Sequence, residues 1–285
     1  MLSLTSFMDE TGHADDPTLH FAGMAGFVAP LGNWEVFEER WNSALKNAGL
    51  TEPFHMKEFA HSVGQFESWK GKEELRQLFF GHLIKIIQDT QADPVGVAIS
   101  VNDFNSLTPS QQSSFGGDPY YIAFQKCTRG AASSALFEAK EEQVAMVFAF
   151  QGEFGNRAEQ LWYAMQKSPK VEDIIKERMG SYASCTPKKM CQLQAADLFA
   201  YELLKEFENQ IMRPTDKMRY GMRQILKMEQ APEAPRIVLM DRIELLRTIK
   251  EAGFKDQTGT EKLGNHNIIS AMQRMTDWRR QRGEE

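Results

Sequence analysis

Asp9, Glu10 and Asp197 are the residues of this chain whose types and settings could do chemistry together. Asp9 and Glu10 lie in Met8-Asp9-Glu10-Thr11-Gly12, directly after the apolar run Leu2–Phe7 and before a second, Phe21–Val28. Two acids at the exit of a strand can coordinate a divalent cation, because hard oxygen ligands suit Mg²⁺ and Mn²⁺. Far downstream, Gln192-Leu193-Gln194-Ala195-Ala196-Asp197-Leu198 sets a lone acid in an otherwise apolar helical pattern. Burying an unpaired carboxylate is expensive, so Asp197 needs a partner or a wet cleft. The reading is that Asp9 and Asp197 converge on one site. Consecutive strand residues face opposite sides, so Asp9 and Glu10 do not share an ion through their side chains while the strand continues. The plain alternatives are an acidic hairpin turn for the first pair and a surface acid paired with Lys or Arg for Asp197.

Further residues fit around that pair. After the apolar run Gln143–Phe150 come Gln151 and Glu153, and Glu153 could supply a third acid at the same sheet edge, with Gln151 a weaker neutral ligand. His55 and Glu58 are three apart and share a face on a helical turn, so His55 could act as base, ligand or phosphate contact. Gln194 and Tyr201 lie three and four residues from Asp197, on the same side of the helix. Lys188, Lys189 and Arg213 are the cations suited to a phosphate backbone. The chain has no His-x-x-x-His pair, no phosphate-binding Gly-rich loop with Lys, no dinucleotide Gly-x-Gly-x-x-Gly and no Gly-x-Ser-x-Gly elbow. These absences remove zinc proteases of that type, P-loop enzymes, common NAD enzymes and typical α/β hydrolases.

The elements that must position these residues follow from hydropathy patterning. Leu4–Met8 and Phe21–Val28 read as strands of a hairpin, the second apolar at nearly every position and so covered on both faces. Asn33 can cap a helix with the stripe Trp34, Phe37, Trp41 and Leu45. A longer helix spans Lys72–Asp89 with Leu75, Leu78, Phe79, Leu83, Ile86 and Ile87 inward. Pro94–Val101 and Gln143–Phe150 are strands three and four. Pro119 opens a helix running towards Lys140. Arg157–Lys167 is helical, Ser181–Ser184 a short edge strand, and Lys189–Phe207 a helix with Leu193, Ala196, Ala200, Leu203 and Phe207 on one face. Strands alternate with helices after the hairpin, which makes an α/β fold with a mixed sheet and flanking helices. Asp241-Arg242-Ile243-Glu244 is a capping box. Residues 1–210 are expected to form the core and 211–285 a helical C-terminal extension packed on it.

With 285 residues, 42% hydrophobic and 25% charged, the composition is that of an ordinary folded protein. The net charge of −6 argues against a broad nucleic-acid-binding surface while leaving room for a local basic groove. Cys127, Cys185 and Cys191 form no Cys-x-x-Cys pair, so neither a structural zinc site nor a disulfide framework is expected. Free thiols, no evident signal peptide and no apolar run long enough to span a bilayer point to a soluble cytoplasmic protein with no membrane partner.

Three segments in order carry a family resemblance. Met8-Asp9-Glu10-Thr11-Gly12 resembles the Asp-Glu-Ser-Gly signature of the domain of unknown function 3800 family, with Thr11 at the serine position. Phe54-His55-Met56-Lys57-Glu58-Phe59 resembles its histidine motif, and Leu193-Gln194-Ala195-Ala196-Asp197 its Leu-Gln-x-Ala-Asp helix. The resemblance covers about Leu4–Lys205. It implies a ribonuclease-H-like fold with an acid on the first strand and further acids from a later strand and a helix. Asp9 and Asp197 are the best-matched positions and His55 the next. Gln151 stands where the family often has an acid; Glu153, two residues later, can take that place if the strand continues, and otherwise the site lacks a charge. The function implied is a Mg²⁺- or Mn²⁺-dependent phosphodiesterase or nuclease, with Asp9, Glu153 and Asp197 holding the metal and nucleic acid as substrate. The competing expectation is an inactive ribonuclease-H-like module that binds a protein or nucleic-acid partner.

Overall fold

The computed structural model describes residues 4–12, 20–134, 142–149, 155–212, 217–228 and 237–251. In chain order the elements are β1 (Leu4–Thr11), β2 (Phe21–Pro30), α1 (Leu31–Asn47), α2 (Met56–His61), a 3₁₀ turn (Gly64–Trp69), α3 (Glu73–Asp89), β3 (Asp93–Ser100), α4 (Val101–Asn105), α5 (Pro109–Ser114) and α6 (Pro119–Ala132). There follow β4 (Val144–Ala149), α7 (Gly155–Lys167), α8 (Asp173–Arg178), β5 (Met179–Cys185), α9 (Gln192–Met212), α10 (Tyr220–Leu226), β6 (Ile237–Met240) and α11 (Arg242–Glu251).

The six strands form one mixed sheet in the order β5-β4-β1-β2-β3-β6. Only β2 runs against the rest: it is antiparallel to β1 and β3, while β1–β4, β4–β5 and β3–β6 are parallel. The carboxyl ends of β1, β4 and β5 therefore share one edge. The chain runs from β1 to one side through β2 and β3, then returns to the other side for β4 and β5. The gap between β1 and β4 is where strand order reverses, and the crevice outside strand carboxyl ends at such a point is the usual ligand position in open α/β sheets.

Helices cover both faces, with α9 against β1 and β2 on one side and α6 against β2 and β3 on the other. Strand alternation sorts β1 accordingly. Phe7 belongs to the core that includes Phe27, Trp41 and Phe199, and Leu4 and Met8 to the one that includes Phe124, Cys127 and Trp162. β2 is buried through Ala29 because it is covered on both faces, as its unbroken apolar run requires. Small residues let α9 approach. Ala195, Ala196 and Ala200 are fully buried, and a Cβ on Gly96 of β3 would lie 2.9 Å from Leu203 and 3.2 Å from Phe199. Each large side chain buried there contributes about 1.5–3 kcal/mol.

Four expectations are corrected. Asn33 does not cap α1: the helix begins at Leu31, straight from Pro30, and the Asn33 amide donates to the carbonyl of Thr90 at 2.9 Å. Leu75 and Leu78 are 42% and 69% exposed, because the buried stripe of α3 is rotated onto Phe79, Leu83, Ile84, Ile86 and Ile87. The edge strand β5 is longer than Ser181–Ser184. The segment after residue 210 is not wholly helical, since β6 extends the sheet beside β3. Among the described residues no helix is long and apolar enough to cross a membrane.

Candidate functional site

β1 ends in Asp9-Glu10-Thr11, paired across to Ala25, Met24 and Gly23 of β2. Gly12 follows at φ +75°, where a Cβ would come within 2.4 Å of the Phe21 carbonyl, so only glycine lets the strand close against β2 at this point. The strand continues through both acids, and alternation sends them to opposite faces as expected. Asp9 follows Phe7 towards α9, and Glu10 follows Met8 towards α6. The electrostatics match. Burial, and next the charge of Asp197, hold the Asp9 carboxyl well above the usual carboxylate range, whereas burial and Asp118 push Glu10 up to about 8.

Asp197 sits in the second turn of α9, with its side chain 16% exposed. Its Oδ2 accepts the backbone N–H of Met56 at 2.6 Å and lies 3.4 Å from Nδ1 of His55. Burial raises its pKa and the nearby Glu58 adds to the rise, with His55 and the Met56 N–H opposing. Asp9 Oδ1 in turn accepts the N–H of Glu10 at 2.8 Å. Among the described residues, Asp9 Oδ2 and Asp197 Oδ1 carry no hydrogen bond. Two acids widely separated in sequence thus lie near enough, at the carboxyl end of β1, for the charge of Asp197 to act on Asp9, and each has one oxygen fixed by the backbone.

The His55 segment is held by aromatic packing. Phe54 and Phe59 are buried, with Phe54 edge-on to Trp41 at 5.9 Å and to Phe66 at 5.9 Å, which leaves His55 between two anchored residues and 58% exposed. Gln194 serves this arrangement and does not line the site. Its Oε1 accepts from Trp41 Nε1 at 2.8 Å and from the Phe54 N–H at 3.0 Å, while its Nε2 donates to the Pro187 carbonyl at 2.9 Å. One buried amide therefore ties α1, the His55 loop and the lead-in to α9 together, which sets where Met56 meets Asp197. Burial raises the pKa of Tyr201, one turn beyond Asp197, while the Arg219 guanidinium, 5.9 Å from its ring centre, opposes the rise.

Lys188 and Lys189 are exposed in the turn leading from β5 to α9. Gln151, Glu153 and Arg213 lie outside the described residues. Among the described residues no group of three or more His, Cys, Asp or Glu is placed to hold a metal ion. Asp9 and Asp197 are, among the described residues, the acids that could hold such an ion together. Their chemistry suits a hard divalent cation, which would relieve the repulsion between them.

Sequence reasoning missed what surrounds Glu10. Asp118 caps α6 by accepting the N–H of Tyr120 at 2.8 Å, and its charge acts on Glu10 from the face opposite Asp197. The signal was present, since Asp-Pro is an N-cap followed by a first-turn proline. The ion cluster of Arg219 with Glu202 and Glu206 was also missed, because it joins α9 to the start of α10 across residues with no shared pattern. Comparison of the chain with family models, with curated proteins and with solved structures finds no match.

Proposed function

We propose that the protein is a divalent-metal-dependent phosphodiesterase of ribonuclease-H-like type that cleaves nucleic acid. The observation that carries this reading is the pairing of Asp9 with Asp197 at the carboxyl end of β1, where both carboxyls are pushed up by burial and Asp9 further by its neighbour. Two acids so placed store repulsion that a cation removes, and a mixed sheet with an acid on its first strand and another on a late helix is the arrangement the resemblance implies. Asp9 and Asp197 would hold Mg²⁺ or Mn²⁺, with Glu153 as the further acid. Bound there, the metal supplies Lewis acidity and lowers the pKa of water, so that no strong protein base is needed. His55, exposed beside Asp197, would orient the nucleophile or hand a proton to the leaving oxygen. The Glu10 N–H and the Met56 N–H each fix one oxygen of an acid, which leaves the second oxygen of each for a ligand.

Gln151 in place of an acid and the net charge of −6 favour a second reading, a non-catalytic module of the same fold that binds a protein or nucleic-acid partner. Cleavage decides between them. With Mg²⁺, labelled single-stranded, duplex and hybrid polymers should include a substrate for the purified protein, and Asp9→Ala and Asp197→Ala should each abolish its cleavage while leaving the far-ultraviolet circular dichroism unchanged. Equal cleavage by the wild type and both variants rejects the proposal.

A further inference from the structure

A cleft of about 390 Å³ opens next to the acid pair, between α2, α3, α9 and α10. Met56 belongs to both: its N–H binds Asp197, and it lines the cleft. Tyr201 is shared in the same way, one helical turn beyond Asp197 while walling the cleft. The volume is that of a small-molecule site. Its walls are aromatic, with Phe80 stacked at 5.9 Å on Phe59 and 6.3 Å from Tyr220, which is itself 48% exposed.

Charge decides what such a cleft can take. Two guanidinium groups lie in it, and the charge of each already meets a carboxylate, though Arg76 Nε is buried without a hydrogen-bond partner among the described residues. Arg76 bonds Glu73 at 2.8 Å and donates to the carbonyls of Phe59 and Ala60, and Arg219 donates to the buried Glu202. The cleft thus offers no spare positive charge for a phosphate. It offers ring faces together with the amide of Gln77, which suits a flat, neutral group with hydrogen-bonding edges.

We propose that this cleft receives an unpaired nucleobase of the substrate while the adjoining phosphate sits at Asp9 and Asp197. This rests on the phosphodiesterase reading and sharpens it: a base in a side cleft has left its stack, so the substrate is single-stranded at that nucleotide. Tyr220 supplies the stacking face and Gln77 reads the base edge. Stacking of this kind is sequence-tolerant, since every base has a ring face.

The test is calorimetric titration of the full chain with adenosine 5′-monophosphate, uridine 5′-monophosphate and ribose 5-phosphate, each with and without Mn²⁺. Both nucleotides should bind at least about tenfold more tightly than the base-free sugar phosphate, in either condition. Tyr220→Ala, which trims a half-exposed ring, should remove that preference, and so should Gln77→Trp, which fills the cleft from an exposed position on α3. Ribose 5-phosphate binding as tightly as the nucleotides, or a preference that survives in a folded variant, overturns the assignment. Asp9→Asn separates the two proposals, since it should lose Mn²⁺ binding and keep the base preference. A wild type that prefers nucleotides yet binds no Mn²⁺ would refute the metal-dependent reading alone.

Discussion

Asp9→Asn should stabilise the metal-free protein at neutral pH while destroying its response to metal. The substitution is isosteric, and the Asn side-chain oxygen can still accept the Glu10 N–H that Asp9 Oδ1 accepts at 2.8 Å. What changes is charge. Asp9 loses its proton in the unfolded chain near 3.8 but only well above that in the folded one, because of burial and then Asp197. Its contribution is therefore fully present below pH 3.8 and is lost as pH rises through the folded-state value. Like charges repel more strongly as burial lowers the local dielectric, and the charge of Asp197 adds to the cost of ionising the buried Asp9. Holding a proton relieves part of this at a cost that grows with each pH unit above the ordinary value, so a net gain in stability at pH 7 is expected for the variant. In a chain of this size each 1 kcal/mol of gain raises the melting temperature by about 2 °C. The assay is thermal melting in chelator and in Mn²⁺, at pH 4 and pH 7. In chelator the advantage of Asp9→Asn should be present at pH 7 and small at pH 4. With Mn²⁺ at a hundredfold excess over Kd the wild type should gain about 2.7 kcal/mol and the variant nothing. A variant less stable than the wild type in chelator at pH 7, or equally stabilised by Mn²⁺, refutes the reasoning.

The remaining expectations concern the residues around that pair. Gln194→Ala leaves the Trp41 and Phe54 N–H groups without their acceptor in the core, and urea unfolding should register a loss of about 2–4 kcal/mol. Glu10→Gln should gain stability over the wild type as pH climbs from 4.5 to about 8 and hold it constant above, because the folded-state value is raised to about 8; a difference that does not vary with pH in melting curves contradicts the burial of Glu10. His55→Ala trims a side chain that is 58% exposed, so melting should shift by less than about 0.5 kcal/mol, whereas cleavage should fall about a hundredfold in single-turnover assays.

Much of this architecture is legible in the chain because its signals are local. The unbroken apolar run of β2, the alternation around Asp9 and Glu10 and the 3.6-residue stripe of α9 each state an element and its buried face. The position of Asp197 beside that stripe marks it as a cleft acid, and the alternation rule alone separates Asp9 from Glu10. What stayed hidden is made by contacts between distant segments. β6 has four residues and gains its identity only by pairing with β3. The exposed Leu75 and Leu78 fit a helical period as well as the residues that are buried, and only packing against α1 and α10 chooses between them. Gln194 reads as a polar neighbour of Asp197, yet its three hydrogen bonds go to Trp41, Phe54 and Pro187, which no spacing rule connects to it. The aromatic cleft is invisible for the same reason, since its walls come from four helices.

The most direct trial of the central idea is Mn²⁺ titration by calorimetry at pH 7 for the wild type, Asp9→Asn and Asp197→Asn. Saturable binding by the wild type that disappears in both variants is the predicted result. A wild type that takes up no metal, or a variant that binds as the wild type does, contradicts a cation held between the first strand and the late helix.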